Sequence, residues 1–289
     1  MAKMLLPLAL AFFLGGCDSN LTGVPFIGAP DYQQAQERYV RAAQSDTDAE
    51  RELLAGAMKG EPASAFYAGL LIDPGRTGRT DRGDYEQAAR FYESASKAYS
   101  GAAHNLALVL LTAGRPEEAA TALTLLEQSA AKGRLESMLL AAKLLDNGMG
   151  TVAPNPAKAV DWYEKAVTTF KDPRAELELG KAFLFGRGRT ADTSKALLYL
   201  TAAAKGGMVE AQYRMAGLAK SDSEAAQWLV IAATFDPRYR KDATAAVTQF
   251  TQKQQLSIER NAEMWVHAHG SEVQDALELG TYTQPLAKP

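Results

Sequence analysis

An all-α fold, a right-handed solenoid of antiparallel helix pairs, is what this sequence predicts, and three observations carry it. The first is the stretch Ala175–Gly206, which reads as one helical hairpin. Ala175, Leu179, Phe183 and Leu184 stand at helical spacing, and Gly186 and Gly188 stop that helix. After a polar turn, Thr193 or Ser194 caps a second helix whose apolar face is Ala196, Tyr199, Leu200 and Ala203, ending at Lys205 and Gly206. The second observation is that this face recurs. It returns as Ala88, Phe91, Tyr92 and Ala95; as Leu123, Leu126 and Ala130; as Ala159, Trp162, Tyr163 and Ala166; and as Ala225, Trp228, Leu229 and Ala232. These anchors step by 35, 36, 37 and 29 residues, a period at which each hairpin buries its greasy side on its neighbours. Third, the loop glycines repeat as Gly148 with Gly150 and Gly186 with Gly188, which an alanine-rich bundle with accidental spacing would not reproduce.

At these residues the sequence resembles the Sel1-like branch of the tetratricopeptide superfamily. Gly148, Gly150 and TVAPNPAKAVDWYEKAV are close to that family's loop and second helix, and Gly186, Gly188 and TADTSKALLYLTAAAKG match it again. The resemblance runs over roughly residues 60–235. TAGRPEEA at 112–119 is instead the tighter loop of a plain tetratricopeptide repeat, and the unit after Ala211 lacks the glycine loop.

Taken in order, the chain opens on a targeting segment, 1–16. Lys3 is a short positive region, Leu5–Leu14 an apolar run, and Leu14, Gly15, Gly16 and Cys17 a small-residue cleavage box. Such a run is too short for a stable span, which needs about 20 apolar residues. The only cysteine in the chain follows the box directly, and this arrangement resembles a bacterial lipoprotein signal, which implies acylation of Cys17; the alternative is a simple secretory signal. Asp18, by the sorting rule of enteric lipoproteins, favours the inner membrane, with the outer membrane as the other choice. With no second thiol, stability has to come from packing and not from disulfides. Residues 17–30 carry glycines and prolines without periodicity and read as a tether. Residues 31–60 read as an N-terminal capping hairpin, with Asp31 capping a helix to Ala43 and a second helix over Asp48–Lys59. Repeats follow over 61–235. Residues 236–280 supply C-terminal capping helices, Asp242–Gln254 and Ser257–His269, and 281–289 a disordered tail.

Composition narrows the function classes. Of 289 residues 47% are apolar and 22% charged, with a net charge of −3, as in ordinary soluble proteins. The 31 basic residues are scattered among 34 acidic ones without a basic run, so nucleic acid is not an expected partner. No catalytic constellation emerges. His267 and His269 are one residue apart and point to different sides of a helix, His104 stands alone, and neither metal nor cofactor is expected. The loop Gly186-Arg187-Gly188 follows a helix and lacks the lysine and serine of a phosphate-binding loop. Glu117 with Glu118 and Glu176 with Glu178 fall mostly on solvent faces without a partner base, and the recurring aromatics serve the core.

What remains is a binding surface. In the tetratricopeptide superfamily the first helix of each pair lines the concave side, and there the outward positions are Tyr67, Asn105, Lys143, Glu178, Lys181 and Arg214. An aromatic, an amide and both charge signs suit a protein or peptide partner. The expected function is a non-enzymatic, lipid-anchored periplasmic scaffold for protein partners of the cell envelope, in exopolysaccharide export or another envelope assembly. Pro173–Gly186, PRAELELGKAFLFG, is similar to the repeats of the AlgK family of alginate-secretion scaffolds. The alternative is a periplasmic cell-wall or polysaccharide-modifying enzyme, which requires a nucleophile or metal site that the sequence does not display.

Overall fold

The structure, a computed structural model, describes residues 30–77, 82–113 and 116–278. The expected targeting segment, Cys17, the expected tether up to residue 29 and the expected tail after 280 lie outside the described residues. Those described form α-helices, short 3-10 turns and one isolated antiparallel bridge between Met149 and Val152, with no strand among them. The all-α reading therefore holds. The chain divides into two compact units, Met1–Val109 and Leu110–Pro289.

In the first unit the order is α1 (Pro30–Ala43), α2 (Thr47–Met58), α3 (Pro62–Ile72), the single turn α4 (Pro74–Thr77), α5 (Arg82–Ser96) and most of α6 (Ser100–Thr112). Asp46 caps α2, its Oδ1 accepting the N–H groups of Asp48 and Ala49 at 3.1 and 3.0 Å. Helix α1 packs on both α2 and α3, so the cap lies across the first helix of the first repeat as well as on its own partner. Buried Asp73 ends α3; its carboxylate accepts the Tyr92 hydroxyl at 3.0 Å and the Gly75 N–H at 2.9 Å. Burial, reinforced by the Asp73 charge, holds the Tyr92 hydroxyl well above the usual phenol range.

The second unit contains a 3-10 turn (Pro116–Glu118), α7 (Ala119–Ala131), α8 (Leu135–Asn147), α9 (Pro156–Phe170), α10 (Pro173–Phe185), α11 (Thr193–Lys205), α12 (Val209–Ala216) and α13 (Asp222–Phe235). A second 3-10 turn (Pro237–Tyr239), α14 (Arg240–Thr248) and α15 (Gln252–Glu278) complete it. Helices α8 with α9, α10 with α11 and α12 with α13 are the hairpins.

Burial corrects the repeat register at two places. Ala88, Ala122, Ala159, Ala196 and Ala226 are all fully inaccessible, giving steps of 34, 37, 37 and 30; Leu123 and Ala225, the expected anchors, sit partly buried one position away. Adjacent residues on a helix lie about 100° apart, and the site of closest approach takes the alanine that fits it. The cap of α11 also moves. Asp192, with extended backbone, accepts the Lys195 N–H on Oδ1 at 3.0 Å, while Thr193 and Ser194 are exposed first-turn residues.

The glycine loops dock each hairpin onto the preceding second helix. Gly188 has φ +69, and a Cβ there would collide with the Pro156 carbonyl at the start of α9; Gly150 stands in the same relation to Pro116. Next to Gly188, Arg189 clamps the contact through Nη2 to Asp161 at 2.5 Å and Glu164 at 3.2 Å. At the C-terminus, α14 stops at Thr248 and α15 is one 27-residue helix from Gln252, where the sequence predicted helices over Asp242–Gln254 and Ser257–His269. Trp265 on α15 meets Trp228 edge-on at 5.6 Å, and His269 stacks on Trp265 at 4.7 Å.

Candidate functional site

The six expected surface residues part company at the division between the units. Tyr67 and Asn105 are 1% and 3% exposed, so neither faces solvent. Tyr67 is the hub of an aromatic cluster, with the rings of Tyr32, Tyr39 and Phe66 at 5.3, 5.4 and 5.3 Å. Two of those rings come from α1, the capping helix laid over α3. Asn105 lies on α6, where Ala102 through Ala107 are buried without interruption, so that helix is covered on every side. The helical pattern marked both positions as off the apolar stripe, and burial on all sides overrode it.

In the second unit the first helices α8, α10 and α12 keep a solvent face. Leu140, Glu178 and Arg214 occupy one register position along it, and Lys143 and Lys181 another. Lys143 is exposed and makes no ion pair. Three other expected residues converge. Lys181 Nζ lies 2.8 Å from Glu178 Oε1 and 3.7 Å from Glu210 Oε1, and Glu210 Oε1 also accepts Arg214 Nη2 at 2.9 Å. One chain of alternating charge thus crosses from α10 to α12. Glu178 also adds to burial in holding the Tyr163 hydroxyl on α9 above its ordinary range.

Two residues of this face were not singled out from sequence. Glu210 joins the cluster from α12, and Phe185, 56% exposed in the last turn of α10, has the Arg214 guanidinium 5.4 Å above its ring. Phe185 had a legible signal: it is apolar one position beyond the stripe that ends at Leu184. Aromatic residues and arginine are both enriched at protein interfaces, and here a large exposed ring lies under a guanidinium.

The neighbouring end of the face is stitched shut. Arg174 reaches from α10 to both carboxylate oxygens of Glu136 on α8, at 2.8 and 3.2 Å, and to Asp172 at 2.8 Å. Burial alone would lower the Arg174 pKa; its hydrogen bonds to Asp172 and Glu136 outweigh that and keep it charged. Glu176, in the register of the fully buried Gln212, has its carboxyl pushed up to about 7 by burial and by Asp172, with Lys171 opposing. The histidines do not converge: His104 is buried, His267 is exposed and His269 is stacked on Trp265. Among the described residues, no group of three or more His, Cys, Asp or Glu is placed to hold a metal ion.

Antiparallel helix pairs stacked at this period, with a solvated first-helix face, define a helical-repeat scaffold. Within that class the chain carries Sel1 repeats: residues 62–100, 135–168 and 173–208 match the Sel1 repeat family. The matches leave out all but the first residue of α6, the whole of α7, and the α12–α13 pair, which lacks the glycine loop. A Sel1 repeat protein from Oxalobacter formigenes superposes with a TM-score of 0.57 at 22% identity, over 70% of this chain and 84% of that one. A protective antigen of uropathogenic Escherichia coli strains with an SLR fold gives 0.49 at 19% identity, over 91% of this chain and 66% of the length of that protein. Comparison with curated proteins yields no significant match. Sel1-repeat scaffolds characteristically serve protein–protein interaction, and Sel1 repeat proteins are generally non-catalytic.

Proposed function

We propose that this chain is a scaffold of the bacterial cell envelope, held to a membrane by lipid on Cys17, that binds a protein partner through the first-helix face of α8, α10 and α12. The observation that carries the binding reading is the exposed Phe185 ring under Arg214, beside the Glu178–Lys181–Glu210 charges. An aromatic and an arginine flanked by both charge signs suit a polar-rimmed protein interface and not a polyanion. The envelope reading rests on the apolar run Leu5–Leu14 and the box Leu14-Gly15-Gly16-Cys17. Asp18 favours the inner membrane. The likeness of Pro173–Gly186 to alginate-secretion scaffolds makes exopolysaccharide export the first envelope assembly to test.

The test is in-cell photo-crosslinking in the native host, with the photoreactive residue at Asn147. Phe185→Ala combined with Arg214→Ala should cut the crosslinked partner at least tenfold, since loss of a true hot spot costs about 2 kcal/mol or more. The melting temperature should stay within a few degrees, because exposed ion pairs contribute only about 0–1 kcal/mol. An unchanged partner band rejects the face. Separately, Cys17→Ala should move the protein from the membrane to the soluble fraction, and an unmodified Cys17 in native envelopes rejects the anchor.

A further inference from the structure

A second surface lies at the end of the second unit, away from the first-helix face. Helices α14 and α15 both rest on α13 but scarcely touch each other, because the chain bends between Thr248 and Gln252 and the two helices diverge. The result is a cleft of about 460 Å³ with α13 as its floor. Val230 and Ala233 of the α13 floor and Ala243 and Val247 of the α14 wall line it with apolar side chains. Its small side chains leave room for inserted ones.

The two edges carry opposite charges. Arg240 stands on the α14 side and Glu259 on the α15 side, and neither side chain makes an ion pair or hydrogen bond. This contrasts with the first-helix face, where Glu178, Lys181, Glu210 and Arg214 neutralise one another within the chain. A charge already paired in cis must break that pair to serve a partner, whereas Arg240 and Glu259 lose nothing but hydration.

We infer that the trough between α14 and α15 is a docking site for an amphipathic helix of a protein partner, which lays an apolar stripe on α13 and presents an acidic residue to Arg240 and a basic one to Glu259. A partner helix lying here would rest on α13 beside α14 and α15, the packing mode those two helices already use. The inference stands independently of the first-helix reading.

The probes are three synthetic 16-residue helical peptides sharing one leucine stripe and differing at the flanks: mixed Glu and Lys, all Glu, or all Lys. Binding to the full chain is read by fluorescence anisotropy at low salt. The wild type should prefer the mixed peptide by about tenfold. Arg240→Glu, which makes both edges acidic, should switch preference to the lysine-flanked peptide; Glu259→Lys should switch it to the glutamate-flanked one. Thr244→Trp, at an exposed position on the cleft wall, should weaken all three at least tenfold without altering the melting temperature. Absence of binding by any peptide overturns the inference, as do preferences indifferent to the edge charges or binding that survives Thr244→Trp. Phe185→Ala with Arg214→Ala leaves these affinities unchanged, so failure of this site and of the first-helix face are told apart.

Discussion

Replacing Tyr67 by alanine tests the placement on which the first unit depends. The side chain is 1% exposed and meets three aromatic rings at 5.3–5.4 Å, two of them, Tyr32 and Tyr39, on the capping helix. Truncating a buried aromatic to alanine costs about 3–5 kcal/mol through lost transfer energy and the cavity left behind. Three ring contacts at about 0.5–1.5 kcal/mol each beyond area burial place this site toward the upper end of that range. Whole domains are stable by only about 5–15 kcal/mol, so the loss is a third or more of what the first unit has. Tryptophan fluorescence is the wrong probe, because Trp162, Trp228 and Trp265 all belong to the second unit. Hydrogen exchange read by mass spectrometry resolves the unit directly. Peptides from α1 and α3 should lose protection by a factor of at least one hundred, and Tyr67→Phe, which keeps the ring, should restore most of it. If Tyr67→Ala leaves exchange in α1 and α3 unchanged yet weakens partner capture, Tyr67 faces outward and the aromatic hub is wrong.

Two further outcomes follow from the second unit. Glu176 has a folded pKa of about 7 against an ordinary 4.5, so the folded state holds the extra proton between those values and stability falls as pH rises through that window. Glu176→Gln, the residue found at the equivalent position 212, should therefore melt a few degrees above the wild type at pH 8 and level with it near pH 4.5. The gap is on the order of 1 kcal/mol after solvent screening, and an equal gap at both pH values refutes the assignment. Gly188→Ala should lower stability more than Gly186→Ala. Both have φ near +70, which for alanine costs about 1–3 kcal/mol, but only at 188 does the new Cβ strike the Pro156 carbonyl; at 186 its nearest neighbour is 3.6 Å away. Urea midpoints of the pair measure the difference, and equal midpoints would refute the docking role of the loop.

What the sequence determined by itself is the repeating unit: helix, glycine stop, polar turn, second helix. Each of these is settled within about fifteen residues of chain, by the 3.6-residue period and by the positive φ that Gly148, Gly150, Gly186 and Gly188 accept. The period was read to within a residue or two, and only the alanine of closest approach, Ala122 for Leu123 and Ala226 for Ala225, needed the packed structure. Of the candidate face, Lys143, Glu178, Lys181 and Arg214 were legible as residues off the apolar stripe. Tertiary structure alone decided that the same register position is covered at Tyr67 and Asn105 and open at Glu178 and Arg214. Whether a helix face meets solvent depends on what other element lies across it, and α1 folding back over α3 is a contact that no local pattern in α3 encodes. The joining of Lys181 to Glu210 and of Arg214 to Phe185 is of the same kind, since those partners are 29 residues apart and meet only because α10 and α12 stack.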